Sequence, residues 1–322
     1  MKAAILDGIK NRLEIRETEL PEVNPNSSLV NVKYCALNHR DLWIYKGQYA
    51  GLKFPIILGS DISGVYENAE VLINPSLNWG GSELFQGPLY SILGLPANGG
   101  LAEFVSVPHQ NIIDKPKHLK MEQAAALPLA GLTAYRALFS RAKVTSTDKI
   151  FISGIGGGVA LFALQFAVAI GAEVYVSSSD DSKIEKAIQL GAKAGFNYSN
   201  ETWHKEFLKT HSGVDVVIDG AGGQGFSQLI KICNPGARIA LYGATRGTWS
   251  DIVVQQVFWK QLNILGSTMG SEQDFKEMVQ LVSSHSIQPV VDRIFALHEI
   301  NEALQYMEAG KQFGKIVIAV NE

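Results

Sequence analysis

The residues with the clearest chemical meaning are the glycines inside Ile150–Gly171, IFISGIGGGVALFALQFAVAIG. An apolar run ends at Ser153, then come Gly154, Gly156, Gly157 and Gly158, and a helix-type run opens at Val159. Glycine lets a backbone turn sharply and approach a pyrophosphate closely. The helix start then offers unpaired N–H groups and the positive end of the helix dipole. A bare glycine pattern is weak evidence. Here strand, turn, helix and next strand stand in the order a dinucleotide site requires. Two registers fit. One is Gly154-x-Gly156-x-x-Val159; the other ends Gly157-x-x-Ala160, puts a small residue where helix meets strand, and is preferred. Gly156, Gly157, Gly158 and Val159 are the expected pyrophosphate contacts. The bland alternative is a glycine-rich turn with no ligand.

The following strand ends Val176-Ser177-Ser178-Ser179. NAD enzymes usually place an Asp or Glu there to hold the ribose 2′-hydroxyl, and that carboxylate would repel a 2′-phosphate. The aligned residue is Ser178, with Lys183 within one helical turn. A hydroxyl donor and a cation favour NADP(H). Asp180 and Asp181 count against this, and Asp181 is read as a helix cap. The alternative for Lys183 is a solvated helix lysine.

The elements that must position these residues alternate. Strands are expected at 149–153, 173–177, 214–219, 238–242 and 263–268, with helices at 159–170, 181–190 and 225–232. That order predicts a doubly wound parallel α/β sheet with helices on both faces. The first third differs. It holds short β-type runs at 29–34, 62–66, 70–73 and 102–107, with a Gly- and Pro-rich stretch at 74–100. Helices are expected at 121–127, 131–141 and 272–284, and the final apolar run 315–320 lacks a neighbour in its own segment, so it is expected to pair with the first domain.

Composition sets bounds. The 322 residues are 46% hydrophobic and 18% charged, with a net charge of −3. No basic run suggests nucleic acid or an anionic membrane as partner. No stretch is apolar for the roughly 20 residues a spanning helix needs. The N-terminal Met1–Leu6 reads as a strand, not as a signal peptide. The two cysteines, Cys35 and Cys233, stand far apart. A reduced, cytoplasmic setting is expected.

Together these motifs resemble the medium-chain dehydrogenase/reductase superfamily, and within it the zinc-free quinone oxidoreductase-like branch. The resemblance spans nearly the whole chain. It rests on Leu37-Asn38-His39-Arg40-Asp41 with Lys46-Gly47-Gln48-Tyr49, on Pro55–Gly64, Leu127–Leu138 and Asp215–Gly223, and on Tyr242-Gly243-Ala244-Thr245 and Phe313-Gly314-Lys315. It implies a Rossmann domain over 126–268 and a mainly β, GroES-like catalytic domain over 1–125 and 269–322. Zinc relatives in the superfamily hold a catalytic metal by cysteine, histidine and cysteine. The aligned residues here are Asn38, Ser60 and Leu129, which are poor or impossible ligands. The region of the relatives' four-cysteine lobe, 74–100, contains no cysteine. No metal site is expected. One departure is the short connection Gly64–Val71, which raises the expectation of an altered active-site wall.

By resemblance the nicotinamide lies between the two domains, beside Asn38 and Thr133. Asn38 would offer amide donors and Tyr49 an oxyanion donor, while a turn-forming Asn and a packed Tyr are the alternatives. Asp41 is grouped with the catalytic residues, though fixing local backbone or pairing with Lys46 suits it better than proton transfer. The cofactor set is completed by Tyr198, Gly220, Tyr242, Gly243, Ala244, Thr245, Gly314 and Lys315. Arg246 is a second phosphate or substrate contact, or a solvated side chain. The expected reaction is hydride transfer from NADPH to a quinone or α,β-unsaturated carbonyl, whose π system spreads charge onto oxygen without a Lewis acid. The competing readings are a non-catalytic NADP(H)-binding redox sensor or structural protein, and, further off, a zinc alcohol dehydrogenase. The superfamily's sheet pairing through 263–268 implies a homodimer.

Overall fold

A computed structural model describes residues 1–249 and 251–321 of the chain. They form two compact units, one of 1–132 with 270–322 and one of 133–269. The boundary falls later than the expected 126. The helix Pro128–Tyr135 opens under the strand Asp61–Tyr66, where the Leu129 N–H donates to Asp61 Oδ1 at 2.6 Å, so its first residues belong to the first unit. Met269 goes with the second unit, where its sulfur accepts from Thr133 Oγ1 at 3.8 Å.

In the second unit the β/α alternation produces a six-stranded, wholly parallel sheet. Its spatial order is Ala194–Asn197, Glu173–Ser178, Lys149–Ile152, Val214–Asp219, Cys233–Leu241, Asn263–Gly266. The chain reverses its direction of growth between Lys149–Ile152 and Val214–Asp219. In open α/β sheets that switch point leaves a crevice at the carboxyl ends of the strands, and ligands bind there. The central strands are apolar because both of their faces are covered: Ile150, Phe151, Ile152, Val216, Val217 and Ile218 are all fully buried.

The first unit carries a seven-stranded sheet built on Ser27–Ala36. That strand pairs with Asp61–Tyr66, Phe104–Pro108 and Lys315–Ala319. The C-terminal strand returns as expected, Val317 opposite Ala36 and Ala319 opposite Tyr34. Its outer neighbour Val291–Ala296, and the helices His39–Tyr45 and Ile300–Glu308, were not expected from the sequence. The short connection 64–71 is a hairpin. Glu67 and Asn68 take φ of 47° and 67°, as a two-residue turn matched to strand twist requires. The turn is exposed and begins just past Tyr66, which is five residues along the strand from Asp61, about 17 Å at the usual rise. The shortening therefore closes a hairpin far from Asp61 and does not reshape its surroundings.

The stretch 74–100 holds two short pairing segments, Ser76–Leu77 and Ser91–Ile92, and an edge-on Trp79–Tyr90 contact at 5.3 Å. No helix among the described residues is long and apolar enough to cross a membrane.

Candidate functional site

At the carboxyl end of Lys149–Ile152 the chain turns through Gly154 at φ 66° and Gly156 at φ 125°, conformations that favour glycine. Gly157 is the N-cap of the helix Gly158–Ala169. Ala160 is buried while Val159 is half-exposed, so the small residue packed against the sheet is Ala160. A side chain at Gly156 would meet Lys183 Cδ at 2.9 Å, which places the Lys183 side chain over the turn. Ser153 and Asp219 join the ends of the two central strands by a short hydrogen bond, and Asp219 also accepts the N–H groups of Ala221 and Gly222 at 3.1 and 3.0 Å. Tyr242 packs its phenol end against Gly220, where a Cβ would come within 2.3 Å of its Cζ. Packing and the Asp219 charge push the Tyr242 phenol up, so it stays protonated at neutral pH. The loop Gly243-Ala244-Thr245 folds back on the same place: Thr245 N–H and Oγ1 both donate to the Gly220 carbonyl, at 3.2 and 3.3 Å.

At the end of Glu173–Ser178 the structure separates two serines. Ser178 is buried, and its hydroxyl accepts the Asp180 N–H at 3.2 Å. Ser179 is exposed and accepts from the Tyr198 hydroxyl at 3.2 Å. The Arg246 guanidinium lies 4.7 Å above the Tyr198 ring. The helix cap is Asp180, not Asp181: Asp180 accepts the Ser182 N–H at 2.9 Å, and its hydrogen bonds with Ser182 hold its carboxyl below the ordinary range. Asp181 is held instead by the Asn197 amide at 2.8 Å.

In the first unit a second cluster forms where Ser27–Ala36 runs out beside the C-terminal strand. Lys315 is buried, and its ammonium donates to the Leu37 carbonyl, Asn38 Oδ1 and Asp61 Oδ2 at 2.7, 2.7 and 2.8 Å. Asn38 Nδ2 donates to the same Asp61 oxygen at 2.9 Å. The ammonium therefore spends its three N–H groups inside the unit. Gly314 precedes it at φ 125°, pressed against the Val290 carbonyl. Asp41 is fully buried and accepts the N–H groups of Asn38 and Gly59 at 2.8 and 3.3 Å, which makes it a backbone clamp. Burial raises its carboxyl above the usual value, opposed by Arg40 and by those N–H donors. The expected Lys46 partner is corrected: Lys46 pairs with Glu308 at 2.6 Å. Tyr49 is half-exposed and touches Arg40.

Two residues of this cluster had no role assigned from the sequence. Asp61 stood in the PxxxGxDxxG-like segment, and Arg40 between Asn38 and Asp41. Arg40 is buried, with Nη1 on Ser60 Oγ at 2.7 Å and on the Leu93 carbonyl at 2.9 Å. The signal was available, since an arginine inside an apolar, helix-forming run seldom lacks a buried partner.

Residues 24–117 match the alcohol dehydrogenase GroES-like domain, and residues 158–284 match the family described as zinc-binding dehydrogenase. Over 96% of its length the chain is 32% identical to a zinc-type alcohol dehydrogenase-like protein, YogA, of Leptosphaeria maculans, covering 94% of that protein. The chain belongs to the medium-chain dehydrogenase/reductase superfamily. Quinone oxidoreductase-like protein 2 of Bos taurus is 27% identical over 99% of this superfamily member and 92% of its own length. A crystal structure of an NAD-dependent alcohol dehydrogenase superposes with a TM-score of 0.94 at 34% identity, covering all of both chains. Membership makes the protein an oxidoreductase that uses a nicotinamide cofactor. Its fold class, a Rossmann-like parallel sheet with a GroES-like domain, is the one expected from the sequence.

Proposed function

We propose that this superfamily member is an NADP(H)-dependent oxidoreductase that works without zinc and passes hydride to a quinone or an α,β-unsaturated carbonyl. The observation that carries the reading is the state of the three positions aligned with the zinc ligands. Asn38 Oδ1 is taken by the Lys315 ammonium, and Ser60 Oγ by the Arg40 guanidinium. Leu129 is hydrocarbon. Two fixed cations thus sit on the only oxygen donors of the set, and a divalent ion there would meet their repulsion. Among the described residues no group of three His, Cys, Asp or Glu is arranged to hold a metal. The residues present do not fit a zinc ion.

They do fit a dinucleotide. Gly154 and Gly157 have open space where a side chain would stand, and the N-terminus of Gly158–Ala169 faces it. Ser179, Lys183, Tyr198 and Arg246 gather hydroxyls and cations at the end of Glu173–Ser178; among the described residues no carboxylate hydrogen-bonds the two serines, and the nearby Asp180 and Asp181 carboxylates are held by Ser182 and Asn197. That set suits a 2′-phosphate. Thr133, Gly220, Tyr242, Gly243, Ala244 and Thr245 are proposed for the nicotinamide half. The bound cofactor supplies the hydride. The protein's task is to orient it, exclude water and meet the charge that develops on the substrate oxygen, for which Asn38 and Tyr49 are the proposed donors.

The test is NADPH and NADH oxidation over a panel of quinones, enones and simple aldehydes. Turnover of quinones or enones, preferring NADPH, supports the reading. Tight NADPH binding with no turnover of any substrate would replace it with a non-catalytic binding role.

We also propose a homodimer through the sheet edge Asn263–Gly266. Among the described residues the strand has no partner on its outer side, Ile264 is exposed, and the adjacent helix Val254–Trp259 buries none of its residues. Trp259 is 84% exposed, an unusual state for a tryptophan. Sedimentation of the protein and of Trp259→Glu checks this. A dimer that the substitution weakens is expected, and a wild-type monomer contradicts it.

A further inference from the structure

Arg40 is 7% exposed, yet every partner of its guanidinium is neutral. Nη1 donates to Ser60 Oγ and the Leu93 carbonyl, Nη2 to the Leu95 carbonyl at 3.4 Å, and Nε to the Tyr49 hydroxyl at 3.5 Å, the long end of hydrogen-bonding range. No carboxylate among the described residues forms an ion pair with it. Asp41, its neighbour in the chain, turns its oxygens to Asn38 and Gly59 instead. Asp41 acts on the guanidinium only through space, with no hydrogen bond between them, so the cation keeps part of its field and that field falls on what lies against it. Tyr49 does: the guanidinium carbon is 5.2 Å from its ring centroid.

The fixation is thorough on one side and open on the other. The loop Leu93–Leu95 wraps the guanidinium so closely that a side chain at Gly94 would stand 3.3 Å from Nη1. Ser60, fully buried, pins the same nitrogen. Tyr49 is the one partner that is half-exposed. A phenol oxygen that accepts an N–H from behind directs its own proton elsewhere.

We infer that Arg40 is the positioning residue for Tyr49 in carbonyl reduction, holding the phenol oxygen as acceptor so that the phenol proton faces a substrate oxygen. The inference rests on the hydride-transfer reading above. As the β-carbon of an enone takes up hydride with its electron pair, the C=C pair shifts to give an enolate and the charge collects on oxygen. Tyr49 donates a hydrogen bond to that oxygen with its own O–H bond intact, and water then supplies the proton that completes the product at the α-carbon. The positive field that zinc relatives draw from a metal comes here from an arginine acting through a tyrosine.

The experiment is a double-mutant cycle on the full chain with NADPH and the best enone or quinone found for the wild type. Tyr49→Phe keeps the ring over the guanidinium and removes only the hydroxyl. We expect kcat to fall about tenfold or more with KM nearly unchanged, the mark of an interaction made in the transition state. Arg40→Gln should lower kcat by a similar factor, and the double variant should be no worse than either single within about twofold, since the two act as one unit. If Arg40→Gln fails to fold, judged by circular dichroism, Arg40→Lys replaces it under the same criterion, because lysine keeps the charge and loses the fork. Wild-type kcat in Tyr49→Phe, or losses that multiply in the double variant, overturn the inference and leave the hydride-transfer reading intact. A wild type inactive on every enone and quinone removes both.

Discussion

Lys315 and Asp61 stand 254 residues apart in the chain, and their side chains meet at 2.8 Å, 4% and 0% exposed. The pair joins the C-terminal strand to Asp61–Tyr66 across Ser27–Ala36, and it fixes Asn38 through both atoms of the amide. Removing one partner of a buried ion pair leaves a charge without compensation. Lys315→Met should therefore cost about 3–5 kcal/mol of unfolding free energy. Urea denaturation measures it, and a loss below about 1 kcal/mol would show that the pair is not what organises the cluster.

Asp41 gives a pH signature. Burial raises its folded carboxyl above the ordinary 3.8, so the folded chain holds this proton to higher pH than the unfolded chain does. Stability credited to this group is complete below pH 3.8 and is lost as pH rises through the raised folded value. Asp41→Asn removes the titration. The stability of the variant relative to wild type should thus improve as pH rises from 3.8 through the raised folded value. Paired urea titrations across that range check it, and a constant difference or one of opposite slope contradicts it.

Lys183 tests the phosphate assignment. Its side chain lies over Gly156, and it follows within one helical turn of the strand end at Ser178 and the exposed Ser179. Lys183→Glu should weaken NADPH about tenfold or more, roughly 1.4 kcal/mol, and leave NADH within about threefold. Fluorescence titration with the two cofactors separates this from a contact to the pyrophosphate, which would weaken both alike.

The sequence carried what is local and periodic. Alternating strands and helices from residue 149 specify the parallel sheet, because strands covered on both faces must read as continuous apolar runs. The glycine turn announced itself through residue type. What stayed hidden depends on where an element ends or on distance along the chain. Ser177 and Ser178 are both buried because the strand is covered on both faces, and Ser179 is exposed because the strand ends at Ser178, an end that residue type does not mark to a single position. The cap at Asp180 in place of Asp181 is the same single-residue uncertainty. The contacts of Lys315 with Asn38 and of Arg40 with Leu93 span 277 and 53 residues, and no spacing rule reaches so far. Lys46 pairs with Glu308, 262 residues on at the end of the helix Ile300–Glu308, which is equally beyond any spacing rule.

Lys315 and Arg40 hold the oxygen donors at the positions aligned with the zinc ligands, so the proposed function requires turnover without metal. The direct measurement is NADPH oxidation by protein dialysed against a strong chelator, with zinc counted in the same sample. Full turnover of a quinone or enone at far less than one zinc per chain is the result predicted. Activity that vanishes with the metal and returns when one zinc per chain is restored would contradict it.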